Sequence, residues 1–205
     1  MSEESKTKSI LERAKAVCLN HKFRFLTPAI LTSVILQESE GIAFFLKTDK
    51  QYKQNMHTAM ATLGRSEEEI LKLFTLPGGR IIKFRLEPGT YADPKFAKCP
   101  AWPHRVYIAS SSGLGQLMGY NLIVGVKPSN YIDTILTFAG DEEAQILRCA
   151  QDLDKLLVRC YDSPSIIKKD LKTLAYHMYL GYNSGRIINK DPARIKRALE
   201  VVGRL

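Results

Sequence analysis

Five prolines and three glycines fall between Leu76 and Pro103, and the sequence on both sides of them is patterned for helix. Proline removes a backbone donor and glycine costs a helix about 1 kcal/mol relative to alanine, so no long helix crosses this stretch. The chain is thereby confined to a mainly α (α+β) fold with a small β element or irregular structure in the middle. Leu76-Pro77-Gly78-Gly79 predicts a turn, Arg80 to Leu86 a short strand, and the segment holding Pro88, Gly89, Pro94, Pro100 and Pro103 a loop. Upstream, residues 8–20 read as a helix. Thr27-Pro28 opens another, because threonine suits an N-cap and proline the first helical position, and it should end near Gly41. Residues 50–74 are helical with a break around Gly64-Arg65-Ser66, where Ser66 followed by Glu67, Glu68 and Glu69 predicts a capping box. Downstream, helices are expected over 114–125, 129–138 and 141–160, the last with Ile146, Cys149, Leu153, Leu156, Leu157 and Cys160 at helical spacing. A final pair is expected over 165–180 and 191–203.

A chain of 205 residues supports one core, or at most two small lobes, and a single compact domain over 1–205 is expected. With 45% apolar and 25% charged residues, wholesale disorder is excluded. The longest apolar stretch, Ala29 to Leu36, is far short of the roughly 20 residues that span a bilayer, so no transmembrane segment is expected. The N-terminus, MSEESKTKSILERAK, lacks the basic start and apolar run of a signal peptide. Cys18, Cys99, Cys149 and Cys160 show no C-x-x-C pairing, and His21, His57, His104 and His177 no i, i+4 pairing, so neither a metal nor another cofactor is expected. The formal charge of +9 favours a polyanionic partner: nucleic acid, an anionic membrane or a bacterial wall.

Three segments carry candidate chemistry. In the helix opened by Pro28, residues Leu31, Val34, Ile35 and Glu38 fall on one stripe, so a carboxylate ends an apolar face. Partial desolvation there would keep it protonated, as a general acid requires. Without such a role Glu38 is a solvated boundary residue, as neighbouring Glu40 is expected to be. The second segment, Ser110 to Asn121, holds Gly113, Gly115 and Gly119 beside Gln116, Met118 and Tyr120, which suggests a backbone approached closely by a ligand or another element. It is not a dinucleotide fingerprint, since the glycine spacing has one residue too many and no apolar strand precedes it. The third, Gly181-Tyr182-Asn183-Ser184-Gly185, reads first as a helix cap and turn.

In order along the chain, these segments resemble a known superfamily. Glu38-Ser39-Glu40-Gly41 resembles the Glu-Ser-x-Gly end of the catalytic helix in lytic transglycosylases and goose-type lysozymes. Gly113-Leu114-Gly115-Gln116-Leu117-Met118 is similar to their Gly-Leu-Met-Gln-Leu-Met, and Gly181 to Gly185 to their Ala-Tyr-Asn-Ala-Gly. Glu38 and Gly113 lie 75 positions apart, more than is usual there. A closer resemblance is to the N-acetylmuramidase family of phage and bacterial endolysins. Gly78 to Pro88 resembles its Gly-Arg-Pro-Lys-Ile-Leu-Phe-Glu segment, Ser111 to Asn121 its Ser-Trp-Gly-x-x-Gln-x-Met-Gly-x-Asn, and Phe138 to Leu147 its Met-x-x-Ser-Glu-x-x-Gln-Leu. The chain departs from it at Ser112, where tryptophan is frequent, and in a longer Gly41–Leu76 segment.

The resemblance implies a lysozyme-like fold, helical with a small β element beside a cleft for alternating N-acetylglucosamine and N-acetylmuramic acid. Under it Glu38 protonates the glycosidic oxygen and Ser39 supports the site. Gln116, Met118, Tyr120, Tyr182 and Asn183 line sugar subsites. Glu87 would be the second carboxylate, a base or nucleophile in hydrolysis; alternatively it is half of a structural ion pair with Arg85 or Arg105. Hydrolysis is favoured, since Glu87 belongs to the closer match. A transglycosylase, releasing 1,6-anhydro ends, works with one carboxylate. Trp102 would stack on a sugar at the cleft rim or anchor its loop. The expected partner is peptidoglycan rather than nucleic acid, and the expected state a monomer. Without a signal peptide, delivery to the wall would need a holin, a virion or specialised secretion. The rival reading is a basic binding or virion structural protein that grips its partner without cleaving it, for which Glu38 need not be a carboxylate.

Overall fold

The structure is a computed structural model that describes residues 3–96 and 102–161; the helices expected over 165–180 and 191–203 lie outside them. The chain divides into two compact units, one made of Met1–Gly41 with Ile146–Leu205, the other of Ile42–Gln145.

In the first unit, α1 (Glu3–His21) packs on α2 (Pro28–Ser39). Helix α1 buries Ile10, Ala14 and Val17, one stripe at i, i+4, i+7. Thr27 caps α2 as expected, its side chain accepting from the Ile30 N–H at 3.3 Å with Pro28 in the first turn. The single-stripe expectation for α2 is too narrow: Ile30, Leu31, Thr32, Ser33, Val34 and Ile35 are all buried, so the helix is enclosed on every side. Thr32 and Ser33 are tolerated because their hydroxyls donate to Pro28 O (2.7 Å) and Ile30 O (2.8 Å) of the same helix. The loop before α2 is held from far along the chain: the Phe25 and Leu26 N–H groups donate to Asp154 Oδ1 at 3.2 and 3.3 Å. Of the stripe expected around Asp154 in the last described helix, Cys149, Leu153 and Leu157 are buried and Leu156 is half-buried.

The second unit opens with β1 (Phe44–Phe45), α3 (Lys50–Leu63) and α4 (Glu67–Phe74). The capping box at Ser66 forms as expected, Ser66 N–H donating to Glu69 Oε2 at 2.9 Å and Glu69 N–H to Ser66 Oγ at 3.2 Å. The single strand expected over Arg80–Leu86 is instead two: β2 (Ile81–Ile82) pairs with β1, and β3 (Phe84–Leu86) belongs to another sheet. Lys83 breaks the run because its N–H donates to Ala43 O (2.8 Å) and its carbonyl accepts from Gly113 N–H (3.0 Å).

The expected helix over 114–125 is overturned. Ser110–Ser112 is β4, Leu117–Met118 is β5, and only Gly119–Leu122 is helical, as α7. Leu114, Leu117 and Met118 have helical spacing, but Gly113 (φ +73°) and Gln116 (φ +45°) are left-handed and turn the chain into a hairpin. The order β3-β4-β5 is antiparallel throughout. The proline-rich loop is also more ordered than expected, holding α5 (Pro88–Ala92), a 3-10 turn at Pro94–Phe96 and α6 (His104–Ile108). Helices α8 (Tyr131–Gly140) and α9 (Glu142–Tyr161) follow. The core of this unit is aromatic: Phe84 stacks on Phe74 at 4.0 Å and meets the Phe45 ring edge-on at 6.2 Å. The described part is therefore mainly helical with small antiparallel sheets.

Candidate functional site

Glu38 and Ser39 form the last turn of α2, where the buried run gives way to solvent. Glu38 is half-buried, Ser39 fully buried and Glu40 exposed. Ser39 Oγ donates to Ile35 O at 2.9 Å, which fixes that hydroxyl on its own helix. Glu40 takes a left-handed conformation (φ +55°) and its N–H closes the turn on Leu36 O at 2.8 Å. Gly41 follows at φ +69°, and a Cβ there would sit 3.2 Å from Ile10 Cγ1, so glycine is needed for both conformation and space. The Glu-Ser-x-Gly pattern is thus a helix exit packed hard on α1, with the carboxylate at its mouth.

In the second unit the β3-β4-β5 sheet sorts its residues by alternation. Phe84 and Leu86 point into the core while Arg85 is exposed. In register, Arg85 lies opposite Ser111 and Ser111 opposite Met118, so these three form one row across the sheet, with Arg85 exposed, Ser111 buried and Met118 half-buried. Glu87, two residues after Arg85, reaches the same face and pairs with it, Arg85 Nε lying 3.0 Å from Glu87 Oε1. The ion-pair alternative for Glu87 is therefore realised, with Arg85 as its partner. The Glu87 N–H donates to Ala109 O at 3.0 Å, anchoring the strand end. Gln116 joins this face through Ser111, whose Oγ donates to Gln116 Oε1 at 3.1 Å; Gln116 Nε2 donates to Gly113 O at 2.8 Å. Its side chain thus braces the hairpin that presents Met118.

What holds the hairpin is Gln145, which lies in the Phe138 to Leu147 stretch and whose role is not legible in the sequence. Fully buried, it accepts from Leu114 N–H at 2.8 Å and donates to Ala139 O (2.8 Å) and Phe138 O (3.2 Å). A Cβ on Gly113 would overlap this amide. The available signal was a polar residue beside Ile146 in a helical stripe, and nothing in the sequence separates that from a solvated position.

Tyr120 is half-buried at the start of α7, and its ring stacks on Phe96 at 5.8 Å with Lys95 Nζ 5.8 Å away. Trp102 is packed against the aromatic core with the Arg65 guanidinium 5.1 Å over its ring, the loop-anchor arrangement. Tyr182 and Asn183 lie outside the described residues. The fold thus brings Glu87, Gln116 and Met118 to one face of one sheet, and places Glu38 and Ser39 at the exit of α2 in the other unit. Among the described residues no three His, Cys, Asp or Glu side chains gather where a metal ion would be held, and no helix is long and apolar enough to cross a membrane. No protein-family model, no curated protein and no solved structure matches the chain.

Proposed function

We propose that this chain is a peptidoglycan-cleaving glycosidase of lysozyme-like fold. On the resemblance, Glu38 is assigned as the acid that protonates the glycosidic oxygen between N-acetylmuramic acid and N-acetylglucosamine, and Glu87 as base or nucleophile. One observation carries the reading. Glu87, Gln116 and Met118 come from two separate stretches that resemble muramidase motifs, and the Arg85–Ser111–Met118 row links them, Glu87 through its ion pair with Arg85 and Gln116 through its hydrogen bond with Ser111. Glu38 supports it as a half-buried carboxylate at the end of an enclosed helix. Gln116, Met118 and Tyr120 would contact sugar, with Tyr182 and Asn183 assigned by resemblance alone. The enzyme would act on the bacterial wall as a monomer.

The experiment is a zymogram with cell walls in the gel, run with wild type and Glu38→Gln. The amide keeps the shape but cannot donate the proton, so lysis should fall about 10²- to 10⁴-fold while the thermal unfolding midpoint stays put. Retention of more than about a tenth of the activity would move the acid elsewhere, and no clearing by wild type would leave the binding-protein reading.

A second reading is favoured by the Arg85–Glu87 pair. If Glu87 serves only that pair, Glu38 works alone and the enzyme is a lytic transglycosylase, with the 6-hydroxyl of the muramic residue as nucleophile. Masses of the muropeptides separate the two, since transglycosylation leaves 1,6-anhydro ends and hydrolysis leaves reducing ends one water heavier.

A further inference from the structure

Arg85 has no evident structural duty. Its side chain is 65% exposed and that of Glu87 36%, and ion pairs this wet contribute little to stability. Neither residue packs in the core that Phe84 and Leu86 fill from the other side of the strand. Yet Arg85 stands at the head of the row that continues through Ser111 to Met118. Its contact with Glu87 is through Nε, whereas the two Nη groups carry the remaining four N–H donors of the guanidinium, in the planar fork that fits a carboxylate two-pronged. With its Nε side facing Glu87, whose backbone N–H is held by Ala109 O, the guanidinium leaves its Nη edge turned toward a second anion.

We propose that Arg85 is the anion-recognising residue of this face, taking a carboxylate carried on the muramyl side of the glycan strand. The proposal rests on the glycosidase reading and makes the enzyme selective for peptidoglycan over uncharged amino-sugar polymers. The carboxylate has two possible sources with one chemistry: the lactyl group of muramic residues that bear no peptide, or a carboxylate of the stem peptide. The fork requires only a planar anion within reach of Arg85; Met118, half-buried two strands along the same row, offers an apolar contact for a sugar ring further along the strand.

The test uses the full chain as wild type, Arg85→Gln and Arg85→Lys, on three substrates: intact peptidoglycan, the same material with its carboxylates amidated, and strands stripped of peptide so that lactyl carboxylates are free. Wild type should lose about tenfold in kcat/KM on amidation, the scale of one charge-assisted contact. In Arg85→Gln the ratio between intact and amidated walls should fall to near one, and in Arg85→Lys to an intermediate value, since lysine keeps charge but not the fork. Thermal unfolding midpoints of the variants should match wild type, as the side chain is exposed. Wild-type preference for stripped over amidated strands assigns the lactyl carboxylate, and preference for intact walls alone assigns the stem peptide. Equal cleavage of intact and amidated walls by wild type, or an unchanged ratio in Arg85→Gln, overturns the proposal and leaves the glycosidase reading standing. No cleavage of any of the three by wild type overturns both.

Discussion

Gln145 shows how one buried amide can decide the geometry of a segment 31 residues away in sequence. Its oxygen and nitrogen are both spent on backbone groups, on the Leu114 N–H to one side and the Ala139 and Phe138 carbonyls to the other. Gln145→Leu keeps much of the volume but strands these groups in the core, and each buried group left without a partner costs about 1–3 kcal/mol. The expected loss is about 2–4 kcal/mol in urea unfolding. A loss under about 1 kcal/mol would mean that water replaces the amide and the bracket is dispensable. The place of Glu38 at the end of a buried helix was legible in the helical spacing, and the pairing of Glu87 with Arg85 in their closeness along the chain. Gln145 was not, because burial of a polar residue is a tertiary fact, and neither was the outward partnership of Arg85 with the Ser111–Met118 row.

Elements specified by local rules were read correctly. Thr27-Pro28 and Ser66 with Glu69 are caps whose partners lie within three residues, so the sequence contains the whole interaction. The β3-β4-β5 sheet was misread because strands of two or three residues are too short to display a period of two, and Leu114, Leu117 and Met118 mimic a helical stripe. What makes this stretch a hairpin is its turn, and the turn depends on Gly113. Gly113→Ala should cost about 2–4 kcal/mol, because the methyl group meets the pinned Gln145 amide at a backbone φ of +73° that L-residues resist. Denaturant unfolding of the variant measures this, and a change within about 0.5 kcal/mol would show that the hairpin can shift away from Gln145 at little cost. The same reasoning limits α2: periodicity marked one stripe, whereas the enclosure of the whole helix depends on what surrounds it.

Charge and protons give the molecule-wide predictions. Of 30 Lys and Arg and 21 Asp and Glu, 12 and 10 fall in Ile42–Gln145, so most of the +9 belongs to the rest of the chain. At high pH the buried phenols take over. Burial pushes the Tyr107 hydroxyl, which donates to Leu73 O, up to about 12 from an ordinary value of 10. Tyr52 is raised too, first by burial and then by its hydrogen bond to Glu67. A folded-state value above the unfolded one favours the neutral phenol in the fold, so this stability is complete below pH 10 and is lost as the pH rises toward 12. Denaturant midpoints measured from pH 9 to 12 should fall steeply, and Tyr107→Phe should remove about 2–3 kcal/mol of that fall; an identical slope in the variant would place the alkaline sensitivity elsewhere. The nesting of one unit inside the sequence of the other bears on how the chain is made. Leu26 and Asp154 are 128 positions apart, yet their hydrogen bond secures the entry to α2. On the ribosome, residues 42–145 emerge complete while Leu26 still waits for a partner not yet synthesised. The helix that carries Glu38 is therefore secured last, and a chain stopped short of Asp154 would hold a finished insert while the entry to α2 still lacked its anchor.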